Sequence, residues 1–139
     1  MQVRERSHDA ALLAEAHRKE RQIKEGLKVV IEELERTDII GERYYEAELH
    51  RMKGELLLTQ AAPDEEQAES CFRKAIEIAR RQQSKSLELR AVMSLSRLWQ
   101  KQGKKTEARQ LLAEIYRWFT EGFDTADLKT AKALLEELA

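Results

Sequence analysis

The sequence is poor in the residues that end helices and shape turns. Its 139 residues include only five glycines and one proline, Pro63. So few turn-forming residues exclude a sandwich or barrel built from many short strands. Hydrophobic residues still make up 42% of the chain, which is enough for a core, and charged residues make up 37%. This combination predicts an all-α protein.

Other absences exclude classes of function. The single cysteine, Cys71, excludes an internal disulfide and a zinc site built from cysteines. The three histidines lack the i, i+4 spacing of a helical metal site, so no metal is expected. No nucleophile motif and no phosphate-binding glycine loop is present, so we expect neither enzymatic activity nor a cofactor.

Charge and hydropathy narrow the choice of partners. The net charge of −1 disfavours a nucleic-acid partner. No apolar run approaches the roughly 20 residues that span a bilayer, and no secretion signal opens the chain. We therefore expect a cytoplasmic protein without membrane contact.

Helical periodicity runs nearly from end to end and predicts a single helical domain over residues 1–139. Pro63 and Asp64 mark one break, and Gly103 and Gly122 are typical helix stops. Residues 20–23 contain no helix breaker, so either a turn or one bent helix fits there. The predicted helices span residues 7–20, 22–37, 42–60, 64–82, 86–102, 105–119 and 125–138.

Small residues recur at a regular spacing along these helices. In the first helix of each predicted hairpin they are Ala14, Gly54 and Ser96, and the offset between hairpins is 40 or 42 residues. Small residues also occupy matching positions in the second helices, each with a bulky residue four positions later. A small side chain lets two helices approach closely, and the uncovered apolar face of each hairpin favours stacking. The second-helix pairs are Gly26 with Val30, Ala68 with Phe72, and Ala108 with Leu112.

This pattern resembles that of the tetratricopeptide repeat family over residues 7–120. The resemblance implies a right-handed solenoid of about three helical hairpins (residues 7–37, 42–82 and 86–119) plus a closing helix over residues 125–138. The units are longer than the usual length of about 34 residues, and the proline that normally closes each unit is missing.

A more specific resemblance covers residues 42–138 and depends on the stretches 42–58, 86–91 and 118–125. They are similar to the C-terminal repeat tail of large bacterial regulators that carry a class III adenylate cyclase domain and an ATPase domain. The resemblance implies a bacterial signalling role for a repeat tail, without the catalytic domains.

Charge is distributed unevenly along the chain. Residues 73–109 hold 11 Lys or Arg against three acids, a net of +8. The offset of 42 residues predicts that Glu48 lies beside Arg90, and Glu55 beside Arg97, on adjacent first helices. Two interpretations stay open: these charges form ion pairs between repeats, or they bind a partner.

The sequence therefore favours a non-catalytic protein-interaction or regulatory module that binds a peptide or partner domain in the groove of its first helices. Homo-oligomerisation through the first unit and a small-molecule sensor tail are the alternatives. Five late aromatics, at positions 99, 116, 118, 119 and 123, are expected to form core between the third hairpin and the closing helix. The predicted partner-binding residues are Glu15, Arg18, Glu48, Arg51, Glu55, Arg90, Met93, Arg97 and Gln100.

Overall fold

The computed structural model describes residues 19–36 and 45–139, and these residues form six α-helices and no strand. The all-α prediction is confirmed for this part of the chain. The described part of α1 covers residues 19–36. The other helices are α2 (Glu46–Leu58), α3 (Glu65–Arg81), α4 (Lys85–Lys101), α5 (Lys105–Tyr116) and α6 (Ala126–Leu138).

Two predicted helix boundaries need correction. Residues 20–23 do not form a turn, because α1 is helical without interruption from residue 19 to residue 36. α5 ends at Tyr116 and not at residue 119, so Gly122 (φ +76°) lies in the following connection and does not end a helix. Residues 7–18 of the first predicted helix, with Glu15 and Arg18, lie outside the described residues.

The turn signals at Asp64 and Gly103 act as predicted. The Asp64 carboxylate caps α3 by accepting a 3.0 Å hydrogen bond from the backbone N–H of Gln67. Gly103 ends α4 in the left-handed region at φ +80°, and the Lys104 N–H donates to the Trp99 carbonyl at 2.8 Å.

The turn between α3 and α4 has the same geometry with a different residue. The Ser84 N–H donates to the Ala79 carbonyl at 2.9 Å, and Gln83 occupies the left-handed position at φ 55°. A side chain in this region costs about 1 kcal/mol, which glycine avoids. This turn therefore carries backbone strain that the Gly103 turn lacks.

The central helix of the described residues is α4. Consecutive helices from α2 to α6 contact each other, and α4 also contacts α2 and α6. By contrast, no Cα atoms of α3 and α5 lie within 8 Å of each other. Of the described residues 88–98, only Arg90 and Arg97 are exposed. The largest fully buried hydrophobic side chains are Phe72, Ile78, Leu89, Leu95, Leu98, Leu112 and Val92.

Small residues mark the close approaches within the hairpins. A Cβ atom added to Gly54 would lie 2.5 Å from Cε1 of Phe72, so α2 and α3 can approach this closely only at glycine. In the next hairpin, Ser96 Oγ donates to the Ala108 carbonyl at 3.3 Å, and both residues are fully buried. The predicted role of small residues is therefore confirmed in both hairpins.

The late aromatics are only partly core. Tyr116 and Phe119 are partly buried and pack against the hydrophobic core, as predicted. Trp118 is 58% exposed, and Phe123 is also exposed. The prediction is wrong for these two because α5 ends at Tyr116, which places both rings in the connection to α6. Trp99 is also partly buried and packs against the core, as predicted, and its indole N–H reaches α3.

Candidate functional site

The predicted partner-binding residues that the structure describes lie on α2 and α4. With α6 these helices form what we call the first-helix face, defined by Glu48, Arg51 and Glu55 of α2, Arg90, Arg97 and Gln100 of α4, and Asp127 of α6. Glu48, Arg51, Glu55 and Gln100 are half-buried, whereas Arg90 and Arg97 are exposed.

A chain of charged side chains joins the three helices of the first-helix face. Glu48 Oε1 accepts hydrogen bonds from the Arg51 guanidinium within α2, and Arg90 Nη1 lies 3.6 Å from the same oxygen. Arg90 Nε also donates to Asp127 Oδ2 at 2.9 Å. The hydrogen bond and charge of Asp127 raise the pKa of Arg90, which keeps the guanidinium charged. The predicted contact between Glu48 and Arg90 is therefore confirmed.

Sequence reasoning missed Asp127, although its position carried a signal. Asp127 lies in the first turn of α6, where an acidic residue is favoured by the helix dipole. The repeat comparison stopped before this helix, so no offset connected Asp127 to Arg90.

Glu55 and Arg97 behave differently from Glu48 and Arg90. They lie seven positions further along the same two helices, yet within the described part of the chain they form no ion pair with each other or with another residue. Arg97 is exposed and Glu55 is half-buried. The first-helix face therefore carries two opposite charges that no described side chain neutralises.

The structure corrects the placement of Met93 on an accessible surface. Met93 is 4% exposed and belongs to the hydrophobic core cluster. Because α2, α3, α5 and α6 all pack against α4, little of the α4 surface remains uncovered at this level. Met93 stabilises the core in this arrangement and does not present a surface to a partner.

A second concave surface lies between α3 and α5, which we call the α3–α5 groove. It has a volume of about 330 Å³ and runs over α4. Its floor is apolar, and its α3 side carries three arginines. Its lining residues are Arg73, Ile76, Glu77, Arg80, Arg81, Leu95, Trp99 and Leu111.

Trp99 is held in position at one end of the α3–α5 groove. Its indole Nε1–H donates to Glu69 Oε1 at 3.0 Å, and Arg73 Nε donates to Glu69 Oε2 at 3.0 Å. The Arg73 guanidinium lies 5.5 Å from the centre of the Trp99 ring, within range for a cation–π contact. Burial acts to raise the pKa of Glu69, but the two hydrogen bonds and the positive charges of Arg73 and Lys104 together outweigh it and lower the pKa. Glu69 therefore stays ionised and fixes both side chains.

The described residues offer little for metal or thiol chemistry. Over residues 19–36 and 45–139, no group of three or more His, Cys, Asp or Glu side chains could hold a metal ion. Cys71 is buried, and burial raises the pKa of its thiol, which favours the unreactive protonated form. None of the helices that the structure describes is long and apolar enough to cross a membrane.

No protein-family model, curated protein or solved structure matches this chain. The resemblance to tetratricopeptide repeats and to bacterial regulators therefore stays a prediction carried by the residues themselves.

Proposed function

We propose that this protein is a non-catalytic protein-interaction module that binds a peptide or partner domain on its first-helix face. The observation that carries the proposal is the pair of opposite charges at Glu55 and Arg97. Seven positions away, Glu48 and Arg90 are joined by an ion pair, whereas Glu55 and Arg97 have no ion-pair partner in the described part of the chain. A partner that presents a carboxylate to Arg97 and a cation to Glu55 would form an ion pair with each of them.

The proposal includes the tetratricopeptide-like arrangement, a right-handed solenoid of stacked hairpins. The contacts of α4 with α2 and α6, and the separation of α3 from α5 in the described residues, support first helices in one layer and second helices in another. The Glu48–Arg90 ion pair, at the expected offset of 42 residues, also supports it. Arg97 then stands in a row of first helices that would line one continuous binding surface.

Arginine is a suitable anchor for such a contact. Its planar guanidinium donates two parallel hydrogen bonds to one carboxylate, and arginine is enriched among the residues that dominate binding energy. Arg97 is exposed, so a partner can reach it without a rearrangement of the core. We expect its removal to affect binding more than folding.

Selection from a random peptide display library tests this proposal with the whole chain as bait. Peptides that bind are resynthesised, and their dissociation constants are measured by fluorescence anisotropy against the wild type and Arg97→Glu. We expect Arg97→Glu to weaken binding about tenfold or more, which corresponds to about 1.4 kcal/mol. Raising the salt concentration from about 50 to about 500 mM should also weaken binding, since salt screens exposed charges.

Lys132→Glu is the matched control, because it makes the same change of charge at an exposed position that has no ion-pair partner in the described residues. Lys132 lies on α6 about 140° around the helix from Asp127, and therefore away from the first-helix face. The control substitution should leave the dissociation constants nearly unchanged. If every selected peptide binds Arg97→Glu as tightly as the wild type, the first-helix face is not the binding surface.

Self-association is a second candidate, favoured by apolar side chains on α1. Val29 is 62% exposed and Ile31 is 40% exposed, both within the first predicted unit. Light scattering coupled to size exclusion distinguishes this candidate: a single chain gives a mass near 16.2 kDa, and a dimer gives twice that value. If a dimer forms, Val29→Lys should shift it toward the monomer, whereas the same substitution at exposed Gln22 should not.

A further inference from the structure

We infer that the α3–α5 groove is a second docking site, and that its occupant is an acidic amphipathic helix of a partner protein. This surface is separate from the first-helix face. Leu95 in the groove floor and Arg97 on the first-helix face are two residues apart, which places them about 200° apart around α4. One surface can therefore be occupied while the other is free.

The shape of the groove fits a row of side chains. The half-buried Trp99 and Leu111 form the accessible part of its floor, and the buried Leu95 and Ile76 lie beneath them. The volume of about 330 Å³ is at the lower end of the range for pockets that hold ligands, roughly 300–1,000 Å³. That space accepts a few apolar side chains from one helix face, as in other complexes in which a helix lies in a groove.

The length of the basic side also fits a helix. Arg73 and Arg81 are eight residues apart on α3, which corresponds to about 12 Å along the helix axis. Two turns of a partner helix cover that distance, so apolar residues at i, i+3, i+4 and i+7 would span the floor. Carboxylates beside this apolar stripe would face the three arginines.

Charge complementarity identifies the partner helix as acidic. Arg73, Arg80 and Arg81 stand along α3, and Glu77 is the single acid among the residues that line the groove. Between 54% and 62% of each arginine side chain is exposed, although each has an acidic neighbour: Arg73 pairs with Glu69, Arg80 with Glu88, and Arg81 with Glu77 at 4.0 Å. The Arg81–Glu77 pair is exposed on both sides and contributes about 0–1 kcal/mol, so a partner carboxylate can replace it. Arg73 and Arg80 keep their less exposed partners, Glu69 and Glu88, and present the remaining donors of their guanidinium groups to the groove.

The same observations disfavour a nucleic acid in the groove. Trp99 is the single aromatic residue among the residues that line it, whereas single-stranded nucleic acid binds on successive aromatic rings.

The inference is tested by measuring the binding of three synthetic peptides to the whole chain. Each peptide has about 18 residues, which corresponds to roughly five helical turns. The first has leucine at i, i+3, i+4 and i+7 and glutamate at most other positions. The second is a scramble of the same composition, and the third replaces each glutamate with lysine. Fluorescence anisotropy should show binding of the first peptide alone.

Arg81→Glu should weaken binding of the acidic peptide about tenfold or more, since it replaces an exposed cation that faces the partner carboxylates with an anion, and arginine is enriched among the residues that dominate binding energy. The substitution leaves the fold intact because Arg81 is exposed and its one ion pair is long. Arg97→Glu and Lys132→Glu, which change charge outside the groove, should leave the affinity unchanged. In a Trp118→Phe variant, Trp99 is the only tryptophan, so its emission should shift to shorter wavelength when the peptide covers it.

Four outcomes overturn the inference. The acidic peptide fails to bind, its scramble binds equally well, Arg81→Glu has no effect, or a single-stranded oligonucleotide displaces the peptide. If Arg97→Glu abolishes binding and Arg81→Glu does not, the peptide lies on the first-helix face. That result overturns this inference and supports the proposed function, so the two proposals fail separately.

Discussion

Replacing Gly54 with alanine tests the closest approach between α2 and α3. The new Cβ atom would lie 2.5, 2.8 and 3.0 Å from Cε1, Cδ1 and Cζ of Phe72. Carbon atoms normally approach to about 3.5–4.0 Å, so the ring has to move by up to about 1 Å. Phe72 is fully buried, and side chains in protein interiors are close-packed, so a shift of the ring displaces its neighbours.

The expected loss of stability follows from two opposing effects. Overpacking a core costs about 1–3 kcal/mol, and three short contacts to one buried ring place this site near 3 kcal/mol. Alanine in place of glycine inside a helix stabilises the helix by about 1 kcal/mol. The free energy of unfolding should therefore fall by about 2 kcal/mol.

Urea unfolding followed by far-ultraviolet circular dichroism measures this change, and Gly26→Ala is the matched control. A Cβ atom at Gly26 would lie 3.5 Å from the nearest Leu56 carbon atoms, which is an ordinary contact. Gly26→Ala should therefore raise the free energy of unfolding by up to about 1 kcal/mol. In a Phe72→Ala background, Gly54→Ala should no longer destabilise. Equal stability of Gly54→Ala and the wild type would refute the reasoning.

Three further predictions concern a pair of buried serines, two turns and one histidine. Ser94 Oγ is buried and has no hydrogen-bond partner in the described structure, so Ser94→Ala should raise the free energy of unfolding by about 1 kcal/mol. Ser96→Ala removes a buried hydrogen bond and should lower that free energy, so equal urea midpoints for the two variants would contradict this assignment. Gln83→Gly should raise the melting temperature because it relieves the strain at φ 55°, and Gly103→Ala at φ +80° should lower it; shifts of the same sign would contradict the strain argument. Burial lowers the pKa of His50, so the folded state binds its proton less readily than the unfolded state. As the pH falls through the ordinary value of 6.5, the unfolded state takes up a proton before the folded state does. The free energy of unfolding is therefore highest above pH 6.5 and decreases between 6.5 and the lower pKa of the folded state. Urea unfolding at about pH 5 and about pH 8 should show a smaller pH dependence for His50→Gln than for the wild type, and an equal dependence would contradict the assignment.

The features that the sequence predicted correctly depend on spacing along the helices. The close approach of Gly54 to Phe72 and the contact of Ser96 with Ala108 follow from where small residues recur. A helical repeat also fixes which positions lie at the same height on successive helices. An offset of 42 residues was therefore enough to predict the contact between Glu48 and Arg90.

The same offset does not predict whether a second pair meets further along the helices. Packed helices cross at angles of about 20° or more, so their axes separate by about 4 Å over seven residues. Glu55 and Arg97 form no ion pair within the described residues, although their spacing in the sequence is the same. The crossing angle depends on the packing of whole helices and cannot be obtained from the positions of two charges.

The features that sequence reasoning missed depend on which helices remain apart. The α3–α5 groove exists because these two helices are separated over α4, and no periodicity along either helix contains that information. Trp99 packs against the core, as its hydrophobic spacing predicts, but that spacing did not show that the ring also lines the groove. Met93 was assigned to a surface because the sequence pattern does not show how many helices pack around α4. Four helices contact it in the structure, and Met93 is buried between them.

The claim that the first-helix face binds a partner is tested most directly by nuclear magnetic resonance. A library-selected peptide is titrated into the isotope-labelled chain, and the backbone amide shifts are followed residue by residue. The proposal predicts that the largest shift changes cluster around Glu55, Arg97 and Gln100 on α2 and α4. Shift changes that cluster instead around Val29 on α1, or in the connection between α5 and α6, would contradict it.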